Sequence, residues 1–170
     1  MHKSGVMAGP AFTVKTRPGD NLLVHKALSM AQSGDVIVVD AGGDLTNAII
    51  GELMTTTAKV RGLAGFVIHG AIRDIGSISA DTFPVYACGI THRGPYKSGP
   101  GEINVPINLG GMVVHPGDLV VGDEDGVLSI ERAELEAVYK AASAKQEQEV
   151  VMMRQILDGT LDTAWIDQAL

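Results

Sequence analysis

The first half of the chain alternates short apolar runs with polar turns. Val36-Ile37-Val38-Val39, Gly65-Phe66-Val67-Ile68 and Pro84-Val85-Tyr86-Ala87 are apolar at almost every position. Strands buried on both faces of a parallel sheet have this character. Ala11-Phe12-Thr13-Val14, bracketed by Gly9-Pro10 and Pro18-Gly19, reads as a further strand. Between these runs the period changes. Leu22, Leu23, Ala27 and Met30 recur at helical spacing, which predicts a helix over 21–33 with Asp20 as its cap. A second helix is predicted over 53–61. Strands alternating with helices imply a parallel αβ layer.

The second half carries a different pattern. Ile107, Val113-Val114, Leu119-Val120-Val121 and Val127-Leu128-Ser129-Ile130 are short strands. Gly110-Gly111, Pro116-Gly117-Asp118 and Asp123-Glu124-Asp125-Gly126 separate them, which is turn chemistry for a β-rich layer. Residues 131–157 then read as one long helix, with Leu135, Val138, Ala142, Met153 and Ile156 as its apolar stripe. Glu149 falls on that stripe. A carboxylate on a buried seam needs a partner; on a frayed helix end it needs none. No break in composition divides the halves, so residues 1–170 are read as a single domain with mixed layers, and no internal repeat is visible.

Composition narrows the chemistry. Hydrophobic residues make up 45% of the 170 positions but aromatics only 4%, so the core must be largely aliphatic. The formal net charge of -7 speaks against broad binding to a nucleic-acid backbone. It leaves room for an acidic small molecule, because one arginine can dominate a local site. Cys88 is the only cysteine, which fits a cytoplasmic protein and is read as a buried structural thiol. No membrane span or signal peptide is recognisable.

The most informative pair of segments is Gly51-Glu52-Leu53-Met54 and Gly70-Ala71-Ile72-Arg73-Asp74. The first puts an acid at a helix start, where Leu53 and Met54 present backbone N–H groups without helical partners. The second puts Arg73 and Asp74 together after a strand. Arg73 could hold an organic anion through its planar fork. Asp74 could ligate a hard cation, or simply pair with Arg73 or cap a turn. Glu52 could move a proton through water or favour the helix dipole. Gly94-Pro95-Tyr96-Lys97 with Gly99-Pro100-Gly101 is either a loop over this site, with Lys97 adding charge, or a plain surface loop. His25, His92 and His115 share no zinc-like spacing, and His69 is read as a core or supporting residue. No Walker motif and no glycine-rich loop for adenosylmethionine is present.

Gly9-Pro10-Ala11-Phe12-Thr13-Val14, Gly51-Glu52-Leu53-Met54, Gly65 through Asp74, Gly101 through Ile107, Pro116-Gly117-Asp118 and Gly122 through Val127 together resemble the RraA-like family. It contains metal-dependent 4-hydroxy-4-methyl-2-oxoglutarate and 4-carboxy-4-hydroxy-2-oxoadipate aldolases and the regulators of ribonuclease E activity. The resemblance implies an α/β fold, a layered α/β/β domain of the swivelling type, and assembly as a homotrimer or homohexamer with sites between subunits. It implies Asp74 as ligand of Mg²⁺, Mn²⁺ or another divalent cation. It implies that Arg73 and the amides of Leu53 and Met54 bind substrate, and that Arg73, Glu52 and a neighbouring subunit's Glu149 carry the chemistry. The implied reaction is class II cleavage of a 4-hydroxy-2-oxo acid, or decarboxylation of oxaloacetate, through a pyruvate enolate. A non-catalytic regulator of ribonuclease E is the alternative. The chain departs from the family's usual pattern at Glu52, where Asp is commoner, and at His69. It is also expected to lack the family's N-terminal helical segment.

Overall fold

Period-two packing on both faces explains why the central strands have no polar side. In the computed structural model, which describes residues 1–170, alternate residues of each strand enter two separate apolar clusters. Ile37 and Val39 join one cluster and Val36 and Val38 the other. Phe12 and Val14 part from Met7 and Ala11 in the same way, and Phe66 and Ile68 from Val67. The first cluster is filled from helices by Val24, Leu28, Met54, Ala58 and Ile78; the second is filled from short strands by Ile107, Val114 and Val120. A helical layer, a central sheet and a second β layer result, which is the α/β/β arrangement expected of this chain.

The chain divides into two compact units, Met1–Arg132 and Ala133–Leu170. The first runs β1 (Met7–Thr16), α1 (Leu22–Met30), β2 (Val36–Asp40), β3 (Ala48–Ile50), α2 (Glu52–Val60), β4 (Gly65–Ile72), α3 (Ile75–Ala80), β5 (Val85–Ile90), β6 (Gly101–Ile103), β7 (Ile107–Leu109), β8 (Met112–Val114), β9 (Leu119–Gly122) and β10 (Val127–Ile130). The central path is β10-β9-β1-β2-β4-β3, with β5 on β4 and β6 on β1. Pairs β1–β2, β2–β4, β3–β4 and β4–β5 are parallel, whereas β1–β9, β9–β10 and β1–β6 are antiparallel. β7 and β8 form their own antiparallel hairpin.

Three local differences from the sequence reading have plain causes. α1 ends at Met30 because the next residues form a turn, in which Gln32 N–H donates to Asp35 Oδ2 at 2.8 Å. β3, α3 and β6 are too short, at three to six residues, for a period to show. Cys88 is exposed rather than buried. It lies on β5, which pairs only with β4, and its side chain joins neither apolar cluster.

The second unit holds α4 (Leu135–Leu157) and α5 (Ala164–Ala169). The long helix predicted over 131–157 starts later, because β10 runs on to Ile130 and a 3₁₀ turn occupies Arg132–Glu134. None of the side chains of α4 is buried by this chain. No helix is long and apolar enough to cross a membrane.

Candidate active site

Parallel pairing creates the site. β3 and β4 run side by side, with Ile50 opposite Ile72. The residues that follow each strand, Gly51-Glu52 and Arg73-Asp74, therefore meet at one carboxyl edge of the sheet, where open α/β folds place ligands. Arg73 N–H donates to Ile50 O at 3.0 Å. Asp74 Oδ2 accepts the Glu52 N–H at 2.9 Å and lies 3.5 Å from Arg73 Nε. Asp74 takes a left-handed backbone (φ 56), which aspartate tolerates better than most residues. Position 51 must be glycine for close approach: a Cβ there would strike Asp74 Oδ2 and come within 3.0 Å of Arg73 Cγ.

Beside this junction is a cavity of about 360 Å³. Its walls come from the start of α1 (Asn21, His25), from β3 and the start of α2 (through Met54), from Arg73, and from the loop carrying Gly94, Pro95 and Lys97. No acidic residue lines it, in a chain of net charge -7. His25 is largely open to solvent; partial desolvation first, and the Lys97 ammonium second, push its imidazole below its ordinary value, so it is neutral at pH 7. Asn21 is buried; its Nδ2 donates to Ile49 O at 2.9 Å, while its Oδ1 has no partner. A buried acceptor left unpaired costs about 1–3 kcal/mol, which a donor on a ligand or a water would relieve.

The residues singled out from sequence fare unequally. Arg73 borders the cavity and also a second one, lined with Asp74, Ile75, Thr91 and His92. Asp74 belongs to the second only. The Leu53 amide makes no hydrogen bond, but Met54 N–H already donates to Gly51 O at 3.1 Å. Of the two expected anion-binding amides, one is thus already engaged within the helix. Their side chains also differ: Met54 is buried and Leu53 is 79% exposed. Glu52 contributes its backbone N–H to Asp74 and also borders a narrow cleft with Thr56, Ser77 and Asp81. Glu149 lies in the second unit with its side chain 60% exposed and its carboxylate 3.7 Å from Lys145. The partner that a carboxylate on this stripe needs is a lysine one helical turn earlier. His69 faces Asp40 at 3.4 Å and does not line the cavity. The loop at 94–97 does border the site.

Sequence reasoning passed over Asn21 and His25 as site residues. The only available signal was their place in the first turn of a helix that follows a Pro-Gly-Asp turn.

A divalent cation fits the donor set in one way only. Asp74 Oδ1 makes no hydrogen bond, and no group of three or more His, Cys, Asp or Glu side chains converges to hold an ion. A single carboxylate suits Mg²⁺ or Mn²⁺ that keep most of their shell as water, and it does not suit a closed zinc site.

Known proteins share this fold and this sequence pattern. The family model described as "RraA-like: Aldolase/RraA" matches residues 1–129, which is almost all of the first unit. A protein of Halalkalibacterium halodurans named "Putative 4-hydroxy-4-methyl-2-oxoglutarate aldolase" is 45% identical over 161 residues, 95% of this chain and 77% of its own length. Two solved structures are similar. The Thermus thermophilis "RNA-processing inhibitor RraA" is 35% identical with a TM-score of 0.72, covering 76% of this chain and 79% of its own. A Geobacillus kaustophilus protein described as an S-adenosylmethionine: 2-dimethylmenaquinone methyltransferase is 38% identical with a TM-score of 0.71, covering 74% of this chain and 78% of its own.

Proposed function

The chain belongs to the RraA-like family, and from that premise we propose that it is a metal-dependent class II aldolase. It would cleave 4-hydroxy-2-oxo acids of the 4-hydroxy-4-methyl-2-oxoglutarate type and decarboxylate oxaloacetate. The observation that carries this reading is a cavity in an acidic protein lined by Arg73, Lys97 and the start of α2 and by no carboxylate.

Binding comes first. The free Leu53 N–H and the positive end of α2 receive the 2-oxo acid's carboxylate. Arg73 is placed to hold the 2-keto oxygen, where negative charge grows as the C3–C4 bond breaks and its electrons move into the enolate. Asp74 would hold a divalent cation through its free Oδ1, and that ion would supply Lewis-acid chemistry to the reaction. The Glu52 N–H holds Asp74 Oδ2 in place. The 4-hydroxyl proton needs an acceptor. Of the residues lining the cavity, neutral His25 is the one that can take it. Loss of that proton turns the C4 alcohol into a carbonyl, and the enolate takes a proton at C3 to leave pyruvate. In decarboxylation carbon dioxide departs instead, giving the same enolate.

The apolar stripe on α4 supports assembly as a homotrimer or homohexamer, with the cytoplasm as the expected compartment. In such a ring Glu149 of the partner subunit is a second proton acceptor for the site. The other reading, a regulator of RNA processing, is favoured by the likeness to the Thermus protein. Release of pyruvate from oxaloacetate decides between them. Turnover that vanishes in EDTA and returns with Mg²⁺ or Mn²⁺ supports the aldolase; no turnover with any divalent metal supports the regulator. Undiminished turnover after proven metal removal would contradict the metal dependence.

A further inference from the structure

Lys97 sits on an exposed stretch. Tyr96, Lys97 and Ser98 are all open to solvent, so burial does not hold this segment over the cavity. A buried charge ties it to the start of α1. The Asp20 side chain is fully buried, and its Oδ2 accepts the N–H groups of Ser98 at 2.7 Å and Gly99 at 3.0 Å. The same oxygen meets Arg17 Nη2 at 3.2 Å, while Oδ1 accepts Leu22 N–H at 3.0 Å. Two backbone bonds complete the join: Tyr96 N–H to Gly19 O at 2.8 Å and Asn21 N–H to Tyr96 O at 3.0 Å. Asp20 therefore fastens the Lys97 wall of the cavity to the Asn21–His25 wall.

Four donors converge on this carboxylate, and that number selects its chemistry. An ionised carboxylate offers only acceptors, whereas an amide would turn an NH₂ toward groups that are themselves donors. Burial alone would raise the Asp20 carboxyl, yet the N–H groups of Leu22, Ser98 and Gly99 together with Arg17 outweigh it and hold it below its usual value.

We infer that Asp20 is a positioning residue: through the backbone of 98–99 it fixes Lys97 where the second anionic group of a dianionic 2-oxo acid binds. It touches neither substrate nor metal. The inference rests on the aldolase reading for its ligand class. It adds that the choice of a dianion over a monoanion is set at Lys97 and maintained by Asp20.

The test is calorimetric binding of pyruvate, a monoanion, and 2-oxoglutarate, an uncleavable dianion, in Mg²⁺. The wild-type protein should prefer 2-oxoglutarate. Asp20→Asn should weaken 2-oxoglutarate about tenfold and change pyruvate by less than about twofold. Lys97→Ala should do the same, and the double variant should be no worse than Lys97→Ala alone, because both act through one ammonium. Arg17→Ala, at a half-exposed position, is a gentler companion should Asp20→Asn fail to fold; it should move the same preference in the same direction. Equal weakening of both acids, or additive losses in the double variant, would make Asp20 merely structural and overturn the inference. A wild-type protein that bound pyruvate and 2-oxoglutarate alike would also overturn it while leaving the aldolase reading intact. Binding of neither acid would sink both.

Discussion

The two units of this chain use the same kinds of side chain to opposite ends. In Met1–Arg132 the aliphatic residues of β1, β2 and β4 are almost wholly buried, on both faces of a sheet. In Ala133–Leu170 the aliphatic residues form a helical stripe that this chain leaves open: Val138, Met153 and Ile156 are 40 to 56% exposed. A strand buried on two sides has its partners within the domain. An amphipathic helix has one apolar side and takes whatever surface covers it. Hydrophobic content therefore says that a segment will be covered, and period says from how many sides.

The sharpest way to break the comparison is at the site, which only the first unit carries. Arg73→Ala should lower turnover of a 2-oxo acid by about 10²- to 10³-fold. The circular dichroism spectrum should stay as in the wild type, because Arg73 belongs to neither apolar cluster. Equal loss of fold and activity would make Arg73 structural.

Next in size is stability. Ile37, fully buried between β1 and β4, should cost about 2–5 kcal/mol on replacement by alanine in urea unfolding. Ile156→Ala should cost less than about 0.5 kcal/mol in the dissociated chain while weakening any assembly seen by light scattering. A large loss for Ile156→Ala in a monomer would show that the stripe is core after all.

A finer probe asks whether the second unit serves the site of a neighbour. Inactive Arg73→Ala chains mixed with impaired Glu149→Ala chains should regain part of the activity in shared rings. Absence of recovery despite demonstrated subunit exchange would place Glu149 outside the chemistry.

The smallest effect is one of pH. His25 is pushed below its ordinary value of about 6.5 by partial desolvation and by Lys97. Its folded-state pKa thus lies under its unfolded one, so its contribution to stability is complete above that ordinary value and is lost as pH falls toward the folded pKa. The ring should titrate below 6.5 by NMR, and Lys97→Ala should move it upward. No movement would separate the two groups.

Much of the first unit was legible because its signals are local. Val36 through Val39 and Gly65 through Ile68 announce buried parallel strands by composition alone. Gly51-Glu52 and Arg73-Asp74 could be read as chemistry because the first opens a helix and the second follows a strand. Asp20 was legible only as a helix cap, although the cap contact to Leu22 N–H is one of four that its carboxylate makes. The other three donors include two N–H groups far along the chain, whose proximity no spacing encodes. Sequence marks Met54 as an anion-binding amide because a first-turn N–H is normally free; its bond to Gly51 O depends on how tightly that turn closes.

The sequence by itself determined the periods, and with them the layers: alternation sets which residues of β2 face helices and which face the second β layer. It also determined that Arg73 and Asp74 stand together at a strand end. Only the tertiary structure decided what surrounds them. The pairing of β3 with β4 sets Gly51 against Asp74. The clamp of Asp20 on Ser98 and Gly99, 78 and 79 positions further along the chain, brings Lys97 to the cavity of Asn21 and His25. Periodicity reaches one helical turn or two strand positions along the chain, whereas a binding site is assembled by contacts among segments that the sheet order alone makes neighbours.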